Sequence, residues 1–200
     1  MTETSTRASP SEVRLTPVDP EQIRIDGARA LRRVVHQDSR GFLLETLREN
    51  DQSVDGSRFK MSYTSLTVPG QFRDLDRWHV HRIQTDRFVV VLGEMTLALL
   101  DGRKGSRTEG LLDVVRLPGV AYSRPTHTTS RDLQTYLVPI PPGVLHSLGN
   151  LSHEPFIYQN YPTELYDASD EGRVSFLNQL VAELAGPFSW DLVERAAPPV

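Results

Sequence analysis

Two stretches decide the fold: His79-Val80-His81-Arg82-Ile83-Gln84-Thr85-Asp86-Arg87-Phe88-Val89-Val90-Val91-Leu92-Gly93, and Pro141-Pro142-Gly143-Val144-Leu145-His146-Ser147-Leu148-Gly149-Asn150. In the first, His79 and His81 stand two residues apart. On a strand, residues i and i+2 share a face, so both imidazoles point at one place. Asp86 follows, and then an apolar run ending at Gly93. In the second, the prolines set a turn and Gly143 frees the backbone to enter a strand carrying His146.

Working outward, the signals stay short and strand-like. Candidate strands lie at 29–36, 41–47, 60–67, 78–83, 87–92, 95–101, 112–117, 133–138, 144–149 and 155–161. Gly, Pro, Asp or Ser usually separates them, which predicts an all-β sandwich or barrel. One helical pattern covers 175–185, with Leu177, Leu180, Val181 and Leu184 on one face and Gly186-Pro187 after it. Residues 1–20 are polar and read as a disordered or draped arm, 21–190 as one domain and 191–200 as a tail.

Composition narrows the chemistry. There is no cysteine, which excludes thiol catalysis, Cys-ligated metals and disulfides. The net charge is −4, and of the 22 basic residues only Lys60 and Lys104 are lysines. Dispersed arginines balanced by acids give no footprint for nucleic acid. No apolar run reaches the length of a membrane span, and the first residues lack a signal peptide's apolar core. A soluble cytoplasmic protein is expected.

The two opening stretches resemble the two motifs of the cupin superfamily, a small double-sheet β-barrel. The first motif there is two histidines, a carboxylate and a glycine; the second is P-x-G-x-x-H-x-x-x-N. Asp86 stands where Glu is usual. The resemblance implies an all-β jelly roll with a short C-terminal helix, in which His79, His81 and His146 line one cavity. His36, His127 and His153 sit among polar or turn residues and are read as exposed or locally hydrogen-bonded.

A narrower resemblance runs through residues 25–175. Asp38-Ser39-Arg40-Gly41-Phe42-Leu43-Leu44-Glu45 resembles the D-x-R-G-x-F-x-E segment of dTDP-4-dehydrorhamnose 3,5-epimerases, with Phe42 one position early. Ile157-Tyr158-Gln159-Asn160 and Tyr166-Asp167-Ala168-Ser169-Asp170-Glu171 resemble that family's Y-K-x-T and Y-x-P-x-x-E elements. The resemblance implies His79 as the base that removes a proton alpha to a C4 ketone, and Tyr158 as the acid on the opposite face. It makes His146 the second cavity histidine, and Arg40 and Glu45 the pair that holds a nucleotide. It also implies a homodimer that exchanges an N-terminal strand, and no cofactor. These residue types suit the chemistry: imidazole titrates near working pH, and an Arg fork matches pyrophosphate.

The chain departs from the family at two places. The family's R-G-L-H becomes Arg73-Asp74-Leu75-Asp76-Arg77-Trp78-His79, so Arg73 or Arg77 takes the family arginine's part. Counting back from Gly93, Asp86 occupies the position of the family lysine, which steadies the enolate. An anion cannot do this directly. The replacement cation is expected among Arg73, Arg77 and Arg87.

Three functions compete. The first is an epimerase or isomerase of a nucleotide-linked 4-keto-deoxy sugar. The second is a metal-dependent cupin using His79, His81, Asp86 and His146, a donor set suited to Fe(II), Mn(II), Ni(II) or Zn(II). The third is a non-catalytic module that holds a small ligand in the barrel mouth. Tyr158 reads equally as a core tyrosine, and Arg40 as a surface ion pair.

Overall fold

A computed structural model describes residues 14–48, 51, 60–120 and 134–195. It contains twelve strands: β1 (Leu31–Arg32), β2 (Val35–Asp38), β3 (Gly41–Leu44), β4 (Tyr63–Thr67), β5 (Arg77–His81), β6 (Asp86–Leu92), β7 (Glu94–Asp101), β8 (Leu112–Pro118), β9 (Tyr136–Ile140), β10 (Val144–Gly149), β11 (Phe156–Asn160) and β12 (Glu171–Ser175). One helix, α1, spans Gln179–Ala185. The strands form two five-stranded antiparallel sheets, ordered β1-β9-β6-β11-β4 and β12-β5-β10-β7-β8, and β2 and β3 form a separate hairpin. This is the expected double-sheet jelly roll.

The inner faces of the two sheets meet in a core that includes Phe88, Val90, Met95, Leu97, Leu99, Val138, Leu148, Phe156 and Tyr158. The outer faces are covered too. Phe176, Phe188, Trp190 and Val193 pack on Trp78, Ala98, Leu100 and Leu145 behind the second sheet. Leu31, Leu44 and Leu47 pack on Val89, Leu137 and Tyr161 behind the first. Burial on both faces explains why β6 and β7 read as continuous apolar runs. At the hinge between them, Gly93 has φ +75°, and an added Cβ would lie 2.4 Å from the Pro155 carbonyl oxygen.

Residues near both ends of the described chain join this framework. The Leu15 and Val18 amides donate to the Leu192 and Val114 carbonyls, at 2.7 and 2.8 Å. The expected strand 29–36 is two short strands, β1 and β2, joined to different partners. The helix is shorter than expected: Ser175 closes β12, and Asn178 caps α1 by accepting from the Leu180 and Val181 amides. The expected apolar face is also corrected. Val181 packs on the outer cluster, whereas Leu177 and Leu180 are 90% and 76% exposed. Four residues of the expected helix fall in a strand and turn, so the remaining turns present a different side to the core.

Candidate active site

The cavity lies between the sheets. β5 and β10 pair with His79 directly opposite His146, so the two imidazoles enter from neighbouring strands. Their ring centroids are 5.1 Å apart, and His79 and His81 are 4.6 Å apart. The Pro141-Pro142-Gly143 turn sets this pairing. Gly143 takes φ +80°, and its amide donates to the His81 carbonyl at 2.8 Å. From the facing sheet, β6 contributes Asp86 and Phe88, β11 Tyr158 and β4 Tyr63. These line a cavity of about 190 Å³ together with Arg73, Asp74, Ser147, Leu148 and Arg173.

The histidines have different surroundings. His81 is held on both nitrogens: Nδ1 lies 3.2 Å from Asp170 Oδ2, and Nε2 lies 3.0 Å from the Gln84 side-chain amide. Asp170 in turn accepts from the Arg82, Ile83 and Gln84 amides. Burial pushes the Asp170 carboxyl up, but these amides outweigh it and hold it below the usual carboxylate range. His81 is therefore a fixed wall. His146 turns Nδ1 to the Val144 carbonyl at 3.2 Å and faces Asp86 Oδ2 with Nε2, at 3.4 Å.

His79 is different. Its Nε2, like that of His146, is buried without a hydrogen-bond partner, although Glu171 Oε1 lies 3.2 Å away outside bonding geometry; what sets it apart is its titration. Burial, and then the charges of His146 and His81, push its pKa down to about 3. It is a neutral imidazole near pH 7, the form a base requires.

Asp86 is almost wholly buried. Its Oδ1 accepts from Gln84 Nε2 at 2.9 Å and Asn160 Nδ2 at 2.7 Å. Burial opposes its ionisation, yet the facing His146 imidazole, His81 and the Asn160 amide hold it below the carboxylate range. The site thus keeps an anion at the position where the sequence resemblance implied a lysine. Tyr158 is also buried, and burial raises its phenol above the ordinary value, opposed by Arg73, Ser65 and Tyr63.

His79, His81, Asp86 and His146 do come together, but they do not fit a metal centre. His81 spends both nitrogens on Asp170 and Gln84, and Asp86 Oδ1 is occupied by two amides. Among the described residues no group of three or more His, Asp or Glu side chains is disposed to hold a metal ion.

The expected arginines separate. Arg73 lines the cavity. Arg87 does not: residues i and i+1 of a strand face opposite ways, so Asp86 inside puts Arg87 outside. There its Nε donates to the Tyr161 carbonyl at 2.6 Å. Arg77 pairs with Asp76 at the surface. Arg40 and Glu45 also stay off this cavity. Arg40 pairs with Asp38 at the tip of the β2–β3 hairpin, and Glu45 with Arg48. His36 and His153 are exposed, and His127 lies outside the described residues.

Sequence reasoning gave no role to Tyr63, Ser65, Asn160, Arg173 or Glu171. Glu171 closes the Tyr166–Glu171 motif, which marks the residue but not its place, and for Arg173 no local signal exists, because β12 reaches the site only by pairing with β5. For Tyr63 and Ser65 the signal was the i, i+2 spacing on a strand.

No protein-family profile matches the chain. It is 32% identical over 139 residues to the probable low-salt glycan biosynthesis epimerase Agl13 of Haloferax volcanii, covering 68% of this chain and 77% of that one. It is 25% identical over 169 residues to the spore coat polysaccharide biosynthesis protein SpsL of Bacillus subtilis, covering 84% and 97%. Among solved structures, the dTDP sugar isomerase of Desulfovibrio desulfuricans superposes with a TM-score of 0.64 at 24% identity, covering 84% of this chain and 92% of that one. The RmlC epimerase of Mycobacterium tuberculosis gives 0.65 at 22%, covering 90% and 82%. The jelly roll, the two histidine motifs meeting across β5 and β10, and the likeness to the Haloferax epimerase place this chain in the sugar-epimerase family of that protein, on the cupin-like fold shared with the dTDP-4-dehydrorhamnose 3,5-epimerases.

Proposed function

We propose that this protein is an epimerase or isomerase of a nucleotide-linked 4-keto-deoxy sugar. The observation that carries the reading is that His79 and Tyr158 stand on opposite walls of one cavity, from different sheets. Inversion at a carbon needs a base on one face and an acid on the other. His79 removes the proton alpha to the C4 ketone, and the C–H pair moves into the enolate. Tyr158 then protonates the opposite face. The depressed pKa of His79 makes it a weak base, so the step depends on stabilising the enolate oxygen. Asp86 cannot do this. Arg73 is the cavity cation left for it, since among the described residues its partners are the neutral Ser65 and Leu66 oxygens, whereas Arg173 is neutralised by Asp74 and Glu171. His146 braces Asp86 and borders the sugar.

The Legionella pneumophila relative was solved with dTDP-4-keto-L-rhamnose, and the Streptomyces bikiniensis 3′-monoepimerase with dTDP-quinovose. A dTDP-linked sugar is the class we assign here, in the cytoplasm, where such donors are made. We further read the protein as a homodimer. β4 is a sheet edge, and Leu66 and Val68 at it and Leu43 on the hairpin are large apolar side chains left 47–60% exposed. Assembly through this face would bring a partner's hairpin, with Arg40 and Glu45, toward nucleotide.

The test is proton NMR of a dTDP-4-keto-6-deoxyhexose incubated with the protein. New ring couplings, absent with His79→Ala, are expected. Unchanged couplings with every such sugar would overturn the reading.

A further inference from the structure

On β4 and β11 three polar side chains stand beside Tyr158. Ser65 is paired directly across from Tyr158, and Tyr63 across from Asn160. All four side chains therefore share the cavity face. The Asn160 amide is fixed at both ends. Its Oδ1 accepts from the Arg87 backbone amide at 2.8 Å, and its Nδ2 donates to Asp86 at 2.7 Å and to the Tyr63 hydroxyl at 2.9 Å. The Tyr63 oxygen is thus already an acceptor, and its own proton must go onward. The Tyr158 ring lies edge-on at 6.4 Å between centroids. On the other side, Arg73 Nη2 donates to the Ser65 hydroxyl and, at 2.6 Å, to the Leu66 carbonyl. Ser65 Oγ is thus an acceptor too, directly opposite Tyr158.

Two chains, Asn160 to Tyr63 and Arg73 to Ser65, thus end on hydroxyls that share a face with Tyr158. Neither consumes the Tyr158 proton, which remains for the cavity. We propose that Tyr63 is a positioning residue for the acid: with Ser65 it points a donor at the Tyr158 oxygen, orients its O–H toward the sugar, and receives the phenolate left by proton transfer. In that step the enolate carbon pair takes the Tyr158 proton, and the O–H pair stays on oxygen. The cost of leaving a buried phenolate explains the need for donors. Burial raises both phenols above the ordinary value; beside it, the proximity of Tyr63 works toward the Tyr158 phenolate and the proximity of Tyr158 works against the Tyr63 phenolate. Other charges facing Tyr158 across the cavity are His79, Asp86, His146 and the Arg173–Asp74 pair.

The inference rests on the epimerase reading, and Tyr63→Phe tests it, since only a hydroxyl is removed. Turnover to inverted product should fall about 10- to 100-fold, within the range for loss of one preorganised donor, with KM changed less than about threefold. Exchange of the substrate proton with D₂O, which needs only His79, should persist, so exchange without inversion accumulates. A second readout needs no activity. The ¹³Cζ resonance of Tyr158, assigned by its loss in Tyr158→Phe, should move in Tyr63→Phe at neutral pH. An unmoved resonance would overturn the donor contact whatever the activity. A moved resonance with exchange and inversion lost in parallel would overturn the role in proton donation. A wild type that neither exchanges nor inverts would fail the epimerase reading instead, while the resonance still decides whether the contact exists.

Discussion

The depressed acidity of His79 makes a prediction about folding that needs no substrate. In the unfolded chain this imidazole takes up a proton near pH 6.5; in the folded cavity it resists until about pH 3. Folding therefore excludes a proton whenever the pH lies between these values. A group of this kind contributes stability that is complete above its unfolded pKa and is lost as the pH falls toward the folded one. Between pH 7.5 and pH 5 the loss is 1.36 kcal/mol per unit over about 1.5 units, or about 2 kcal/mol. The same figure follows for any folded pKa below about 4. The perturbation is His79→Gln, which keeps a polar side chain of similar reach and cannot titrate. Urea unfolding at the two pH values, in wild type and variant, is the assay. The pH 5 limit keeps most carboxylates ionised, and the other histidines are common to both proteins. Wild type should lose about 2 kcal/mol more than the variant across this interval. Equal losses would refute the claim that burial and neighbouring imidazoles keep His79 neutral.

Asp86→Asn keeps the side-chain volume but turns two charge-assisted hydrogen bonds into neutral ones. It should destabilise the fold by about 1–3 kcal/mol at pH 7. Because the carboxyl titrates below its unfolded value, that difference should shrink as the pH falls below 3.8, measured by denaturation at pH 7 and pH 3. Gly93→Ala places a methyl against the Pro155 carbonyl at a positive φ and should cost about 1–3 kcal/mol, read as a lower urea midpoint at unchanged slope. Trp78→Ala removes a fully buried ring packed 4.9 and 4.7 Å from Phe176 and Phe188. It should cost about 3–5 kcal/mol by calorimetry, while turnover well below the melting point changes little, because Trp78 faces away from the cavity.

Much of this architecture is legible in the chain because burial leaves a one-dimensional trace. β6, β7 and β10 are apolar runs punctuated by Gly93 and Gly143, and their reading holds to within a residue or two. β12 leaves no such trace. Glu-Gly-Arg-Val-Ser lacks alternation, and its extended form comes from pairing with β5. That omission hides Arg173 and the place of Glu171. The histidines and Asp86 are found at sequence level because motif spacing fixes their face. Arg87 is misplaced for the same reason: once Asp86 points inward, its neighbour must point out. Tyr63 and Asn160 are invisible until the register of β4 on β11 is known, since their roles come from which side chains stand opposite.

The central claim is a two-face proton transfer between His79 and Tyr158. Its most direct test is deuterium incorporation from D₂O into a dTDP-4-keto-6-deoxyhexose, followed alongside configuration by NMR. Wild type should place deuterium at an inverted carbon. His79→Ala should abolish both exchange and inversion, and Tyr158→Phe should exchange the proton but return it with retained configuration. Deuterium appearing at undiminished rate in His79→Ala, or full inversion by Tyr158→Phe, would contradict the account.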